Sequence, residues 1–212
     1  MCLYEQNKNY KGVRMFKYLL TILIIFQLTT RAFSDEKKGE TSVNDISNIE
    51  NFTLPDVDGN LHSLDSYKSS KAIVLMFVAT QCPISNDYNE RMVKITAEYS
   101  DKGISFIGIN SNKQESVDEI REHSKKNKFN FLVLKDNNNI IADKLNASVT
   151  PEIYVINPKF EVLYHGRIDD SRRLNEIKSH DLRNTLDDIL AGKDIEVKRT
   201  KAFGCTIKRI SK

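Results

Sequence analysis

The chain has 212 residues, 40% of them hydrophobic, with 32 Lys and Arg against 29 Asp and Glu, no Trp and three cysteines. That is room for one ordinary domain with its own core. Eight Gly and four Pro exclude collagen-like and low-complexity classes. The formal charge of +3 is no argument for a nucleic-acid partner, because residues 1–34 hold five of the basic residues and one of the acidic ones, which leaves 27 against 28, a net of −1.

Those first 34 residues read as an export signal. Lys11, Arg14 and Lys17 precede the apolar run Tyr18–Leu28, and Ala32-Phe-Ser34 supplies small residues two apart, so cleavage is expected after Ser34. The alternative is an uncleaved anchor, for which the run is only about half of the ~20 residues a bilayer span requires. Met15 is an alternative start. Residues 35–48 are polar and without period, a flexible leader. The expected location is periplasmic or extracellular, with no membrane attachment once the signal is cut.

Alternation on both sides of Asp58-Gly59, across residues 51–64, predicts a short hairpin. Ala72–Val78 is a continuous apolar run of strand length, as in a central strand buried on both faces. After Cys82 the period changes: Ile84, Tyr88, Met92, Ile95 and Tyr99 share one helical face, and Lys102-Gly103 stops the helix. A strand over 104–109, an amphipathic helix over 116–126, a strand over 129–134 and a short helix over 140–145 follow. Pro151 opens a strand over 152–156, a turn at 157–160 leads to a strand over 162–165, and Leu182, Leu186, Ile189 and Leu190 mark a closing helix ending at Gly192. Residues 193–212 trail off as a basic tail containing Cys205. Alternating strands and helices followed by a hairpin imply an α/β fold with a mixed central sheet covered by helices on both faces.

Cys82 is the residue with chemistry. Between the strand and the helix it falls at the helical N-cap, with Pro83 at the first helical position, where a missing N–H costs nothing. The unpaired N–H groups of a first turn, and the positive end of the helix, favour an anion, so a thiolate is expected there below the ordinary thiol pKa. A redox role requires that this sulfur be reachable and stand at a helical start. The bland reading is a small buried hydrophobe.

The hairpin, the strand–Cys-Pro–helix unit, Asn110-Ser-Asn112 after a strand, and Thr150-Pro151 before another resemble the thioredoxin fold. The blocks ATQCPISNDYNERM, GINSNKQES, TPEIYVINP, GRIDDSR and KAFGCTIKR narrow this to redoxin-domain proteins, the group holding exported thioredoxin-like oxidoreductases and the alkyl hydroperoxide reductase/thiol-specific antioxidant proteins. The similarity covers roughly residues 49–192. It implies that Cys82 is the attacking cysteine and Pro151 the cis-proline that faces it and shapes the substrate groove; the residues alone would favour a trans bond. Thr150, Thr80 and Gln81 are then expected beside the groove. Arg167 either brings a guanidinium to the thiolate or a substrate carboxylate, or is an exposed loop arginine. The departures matter as well. Ser85 stands where a Cys-x-x-Cys pair needs its second cysteine, and Met76 where thioredoxins often bury an acid. Ala79 stands where peroxiredoxins place threonine, with Thr80 one step late.

Attack on a disulfide or on a peroxide leaves Cys82 needing a second thiol. After signal removal Cys205 is the one remaining, among Lys198, Arg199, Lys201, Lys208 and Arg209 and next to Gly204, which permits close approach of another backbone. Either Cys205 resolves Cys82, or it is a structural or intermolecular thiol on a solvated tail. Asp169, Asp170, Arg172 and Arg173 suggest a local ion-pair loop. The four histidines are scattered, and no metal or cofactor is expected. The reading is therefore an exported thiol-disulfide oxidoreductase acting on a protein thiol or disulfide, reset by an external thiol or a membrane electron donor. A thiol-dependent peroxidase is the second reading, and a non-catalytic peptide-binding module the third.

Overall fold

The computed structural model describes residues 46–211; the expected export segment and most of the leader lie outside the described residues. Five strands form the main sheet: β3 (Ala72–Phe77), β4 (Ile104–Asn110), β5 (Leu132–Lys135), β7 (Glu152–Ile156) and β8 (Val162–Gly166), in the order β5-β4-β3-β7-β8. β3, β4 and β5 run parallel, while β7 and β8 run antiparallel to their neighbours. The sheet is mixed, as expected. β1 (Thr53–Pro55) and β2 (Leu61–Ser63) pair in a small sheet of their own, closed by Asp56, whose Oδ1 accepts the N–H groups of Asp58 and Asn60. A third two-stranded sheet joins β6 (Val149–Thr150) to β9 (Cys205–Thr206).

All six residues of β3 are buried. Their alternation divides the core. Ile73, Leu75 and Phe77 face one cluster with Phe52, Leu64, Ile141 and Leu145, under the small sheet and α4 (Ile140–Lys144). Ala72, Val74 and Met76 face the other, where Met92, Ile95 and Tyr99 of α2 (Asn89–Tyr99), Ile120 of α3 (Val117–Lys126), and Leu182 and Leu186 of α5 (Asp181–Ala191) pack. Helices therefore cover both faces.

Two elements differ from expectation. The helix after Cys82 is two helices, α1 (Pro83–Asp87) and α2, broken at Tyr88, whose N–H turns to Ser85 O. β5 begins at Leu132 and not at 129, because pairing with β4 starts there, opposite Ile107, while Lys128 adopts φ +54° and Phe129 N–H turns back to Ser124 O. Gly103 ends the helical region with φ +92°, a conformation other residues rarely adopt.

Candidate active site

β3, the central strand, delivers the chain to the C-terminal end of the parallel strands, and a tight turn carries it into α1. Cys82 is the N-cap of α1, with Pro83 at N1, and its Sγ accepts the N–H of Ser85 at 3.2 Å. The place that a lone sulfur needs in order to be held as an anion is thus built by the first turn of the helix. The turn before it is fastened by a carboxylate. Glu115 is buried, and its two oxygens accept the N–H of Thr80 at 2.8 Å and of Gln81 at 3.0 Å. Asn110 and Asn112 donate to the same carboxylate. Lys135, also buried, donates to Asn110 Oδ1 and to the carbonyls of Asn112 and Glu115. Burial pushes the Lys135 ammonium below its usual range against the pull of Glu115, Asp136 and Glu119.

The facing wall is β6 and Pro151. The Thr150–Pro151 peptide bond is cis, and Thr150 O lies 3.3 Å from Cys82 Sγ. Glu152 anchors this wall: one oxygen accepts the N–H groups of Ser148 and Val149, and the other meets His165 Nε2 at 2.6 Å.

The C-terminal tail closes the site. Lys198 and Thr200 hydrogen-bond along the outer side of β8 at His165. Cys205 then pairs with Thr150 and Thr206 with Val149. A disulfide joins Cys82 to Cys205 across a Cα–Cα distance of 5.8 Å. Beyond it, Ile207 enters the core, Lys208 N–H donates to Asn112 Oδ1, and Arg209 reaches Asp143 and Ala147 O. Gly204 makes the approach possible: a Cβ there would lie 2.0 Å from Thr150 O. Cys82 is consequently 4% exposed, whereas Cys205 is half-buried. The requirement that this sulfur be reachable is not met in the disulfide form, where Cys205, Thr150 O and the first turn of α1 surround it. A hollow of about 180 Å³ remains beside the disulfide, lined by Gln81, Asn112, Gln114, Thr150 and Lys208. A larger, shallower hollow near Arg91 and Arg172 carries neither cysteine.

The structure thus brings together Cys82, Cys205, Thr150 and Gln81 on one cavity, with Thr80 in the turn and Pro151 buried beneath Gly204. It does not bring Arg167 there: its Nε donates to Asp181 Oδ2 at 2.7 Å, which ties it to the start of α5. The expected local ion-pair loop is also corrected. Asp169 pairs with Arg91 and His180, Asp170 accepts the N–H of Lys178, Arg172 pairs with Asp87, and only Arg173 pairs nearby, with Glu176. Among the described residues no group of three or more His, Cys, Asp or Glu could hold a metal ion. Sequence reasoning missed Glu115 and Lys135. The signal available was a dense polar stretch, Asn110 to Glu115, directly after an apolar strand. It also missed that Phe203 packs edge-on against Tyr88 (centroids 6.2 Å apart), whose other neighbour is the Arg91 guanidinium, 3.9 Å from the ring centroid.

Residues 47–165 match the model of the AhpC/TSA family. No curated protein matches the chain. Among solved structures, it is similar to a hypothetical protein of Sinorhizobium meliloti 1021, at 30% identity and TM-score 0.73, covering 78% of this chain and 94% of that one. It is similar to an uncharacterized conserved protein of Geobacillus kaustophilus, at 31% identity and TM-score 0.73, over 78% and 92% of the two chains. A secreted Mycobacterium tuberculosis disulfide oxidoreductase homologous to Escherichia coli DsbE shares the fold at 19% identity and TM-score 0.51, over 66% and 95%.

Proposed function

Starting from the fact that the chain belongs to the AhpC/TSA family of thioredoxin-like proteins, we propose that it is an exported thiol-disulfide oxidoreductase in which Cys82 attacks and Cys205 resolves. The observation that carries this reading is the Cys82–Cys205 pair at disulfide distance with Cys82 on the N-cap of α1. In the reducing direction the Cys82 thiolate attacks one sulfur of a substrate disulfide and expels the other as a thiolate. Cys205, as thiolate, then attacks Cys82 Sγ, and the bond to substrate breaks. The substrate leaves with two electrons and the chain retains the Cys82–Cys205 disulfide, which an external dithiol or a membrane electron donor reduces. The same steps in reverse oxidise a dithiol. Thr150 and Pro151 form one wall of the groove, and Thr80 and Gln81 the other.

The test is trapping. Reduced Cys205→Ser protein mixed with a disulfide-bonded protein such as insulin should accumulate a mixed disulfide through Cys82, and Cys82→Ser should not. Alkylation of Cys82 across pH should titrate below the ordinary thiol value of about 8.5. A Cys205→Ser chain that traps nothing, with a Cys82 of ordinary reactivity, would remove this function and leave a peptide-binding module.

Family membership itself supports a second reading, a thiol-dependent peroxidase. There Cys82 would cleave the peroxide O–O bond to give a sulfenic acid and water or an alcohol, and Cys205 would expel water in forming the same disulfide. Ala79, where a threonine hydroxyl would be expected for that chemistry, favours disulfide exchange. Fast peroxide consumption by the reduced protein, abolished in Cys82→Ser, would reverse the ranking. Export rests on the basic, apolar and small-residue layout of residues 1–34; a secreted product beginning at Asp35 is the expected result of N-terminal sequencing.

A further inference from the structure

The tail stands where a substrate would have to stand, and its side chains show what that place accepts. Cys82 Sγ is enclosed by the first turn of α1, by Thr150 O at 3.3 Å and by the sulfur of Cys205. Any other peptide sulfur bonding to Cys82 must displace Cys205, and an extended one can pair with β6 as the tail does. The tail runs antiparallel to β6, with Thr150 opposite Cys205 and Val149 opposite Thr206, and Ile207 N–H donating to Ser148 O. The paired stretch is short, Cys205 and Thr206 with Ile207 N–H beyond them, and the chain bends at Gly204, so the flanking positions are read from what each side chain touches. Two residues before the cysteine, Phe203 packs against the Tyr88 ring, itself held by Arg91 and the buried Arg91–Asp169 pair. Two residues after it, Ile207 is buried in the core cluster that contains Ile141, Leu145 and Ala147. One residue before it, the backbone passes so close that a Cβ on Gly204 would sit 2.0 Å from Thr150 O and 2.6 Å from Thr150 C, both backbone atoms that cannot move aside as a side chain can.

We propose that the groove beside Cys82 selects extended polypeptide segments carrying the pattern of the chain's own tail: an aromatic residue, then glycine, then the reacting cysteine, then any residue, then an aliphatic one. This rests on Cys82 being the attacking thiol. The substrate class is a flexible glycine–cysteine segment of a protein, and a helix-borne cysteine is rejected because it offers no strand to β6. The tail is then both the resolving element and a tethered competitor, present at high effective concentration.

The experiment uses the full chain bearing Cys205→Ser, reduced, and four probes. Three are peptides, Phe-Gly-Cys-Thr-Ile, Phe-Ala-Cys-Thr-Ile and Phe-Gly-Cys-Thr-Ser, each with its cysteine activated as a mixed disulfide with thionitrobenzoate. The fourth is dithiodipyridine, a small disulfide that needs no groove. Release of the chromophore reports attack by Cys82 in each case. The glycine peptide should react roughly tenfold or more faster than the alanine peptide, and severalfold faster than the serine peptide. Equal rates for all three peptides overturn the pattern and leave Cys82 as a nucleophile. Reaction with dithiodipyridine alone also overturns it, since the groove then takes no peptide. Failure of all four probes removes the thiol chemistry itself. On the reduced wild-type chain, where Cys205 expels the peptide again, the same ratio should appear in the rate at which the Cys82–Cys205 disulfide forms.

Discussion

Cys82 follows a strand whose six residues are all buried, whereas Cys205 lies on a segment in which, from Lys198 to Ile210, only Ile207 is buried. The first cysteine belongs to a wall made by core burial and by a carboxylate that fastens the turn before it. The second belongs to a strap held by backbone hydrogen bonds to β8, β6 and Lys113, by contacts of Phe203 with Tyr88, of Lys208 with Asn112 and of Arg209 with Asp143, by one buried isoleucine and by one covalent bond. Hydrophobic burial is cooperative with the whole fold, while each backbone hydrogen bond contributes about 1 kcal/mol net. One half of the site therefore shares the stability of the domain, and the other is expected to detach at a lower cost once its covalent bond is cut.

The largest consequence is thermodynamic. The disulfide spans a sequence separation of 123, so the chain-entropy account assigns it about 5 kcal/mol of stability. Urea unfolding with and without reductant should differ by an amount of that order. An indistinguishable midpoint would show that closing this loop adds no stability, and the covalent part of the contrast between wall and strap would fail.

A second pair of variants sharpens the same contrast. Phe77 is fully buried at the end of β3, and Phe77→Ala should cost about 3–5 kcal/mol in oxidised and reduced protein alike. Ile207→Ala should cost about 2 kcal/mol when oxidised, and clearly less when reduced, because a released strap no longer buries that side chain. Equal costs for Ile207→Ala in both states would mean that the strap stays docked after reduction.

These two residues also show what the sequence disclosed. Phe77 lies in an uninterrupted apolar run, so its strand and its burial were readable from pattern, and the Cys82-Pro83 step marked the start of α1. The parallel strand over 104–109 was equally plain. Ile207 is one apolar residue in a basic tail, and a two-residue strand has no period to detect. Its pairing with β6 is a long-range fact that only the folded sheet supplies. Gly204 before Cys205 did suggest a close backbone approach, but not to which segment. The same limit hid Glu115, whose partners are the N–H groups of Thr80 and Gln81, some 35 residues away, and it left Arg167 without its real partner, Asp181.

Glu115→Gln tests the wall alone. The amide offers one acceptor where the carboxylate offers two, so one of the N–H groups of Thr80 and Gln81 loses its partner at a cost of about 1–3 kcal/mol. Chemical denaturation should find that loss in both redox states, accompanied by slower alkylation or mixed-disulfide formation at Cys82. A loss confined to the oxidised state would place Glu115 with the strap.

The smallest effect concerns the hinge between the two regions, Glu152. Burial alone would raise its pKa, but His165 and the N–H groups of Ser148 and Val149 outweigh burial and hold the carboxyl below its ordinary value of 4.5. A carboxyl with a lowered pKa in the folded state adds stability that is complete above 4.5 and is lost as pH falls through the folded value. Protonation also weakens the grip on Ser148 and Val149, the segment to which the strap is paired. Below about pH 4.5, wild-type protein should therefore lose stability more steeply than Glu152→Gln, and the accessibility of the Cys82–Cys205 disulfide to reductant should rise over the same interval. Parallel pH profiles for the two proteins would separate Glu152 from the seating of the strap, and leave that seating to β8, Lys113, Asn112, Asp143 and the buried Ile207.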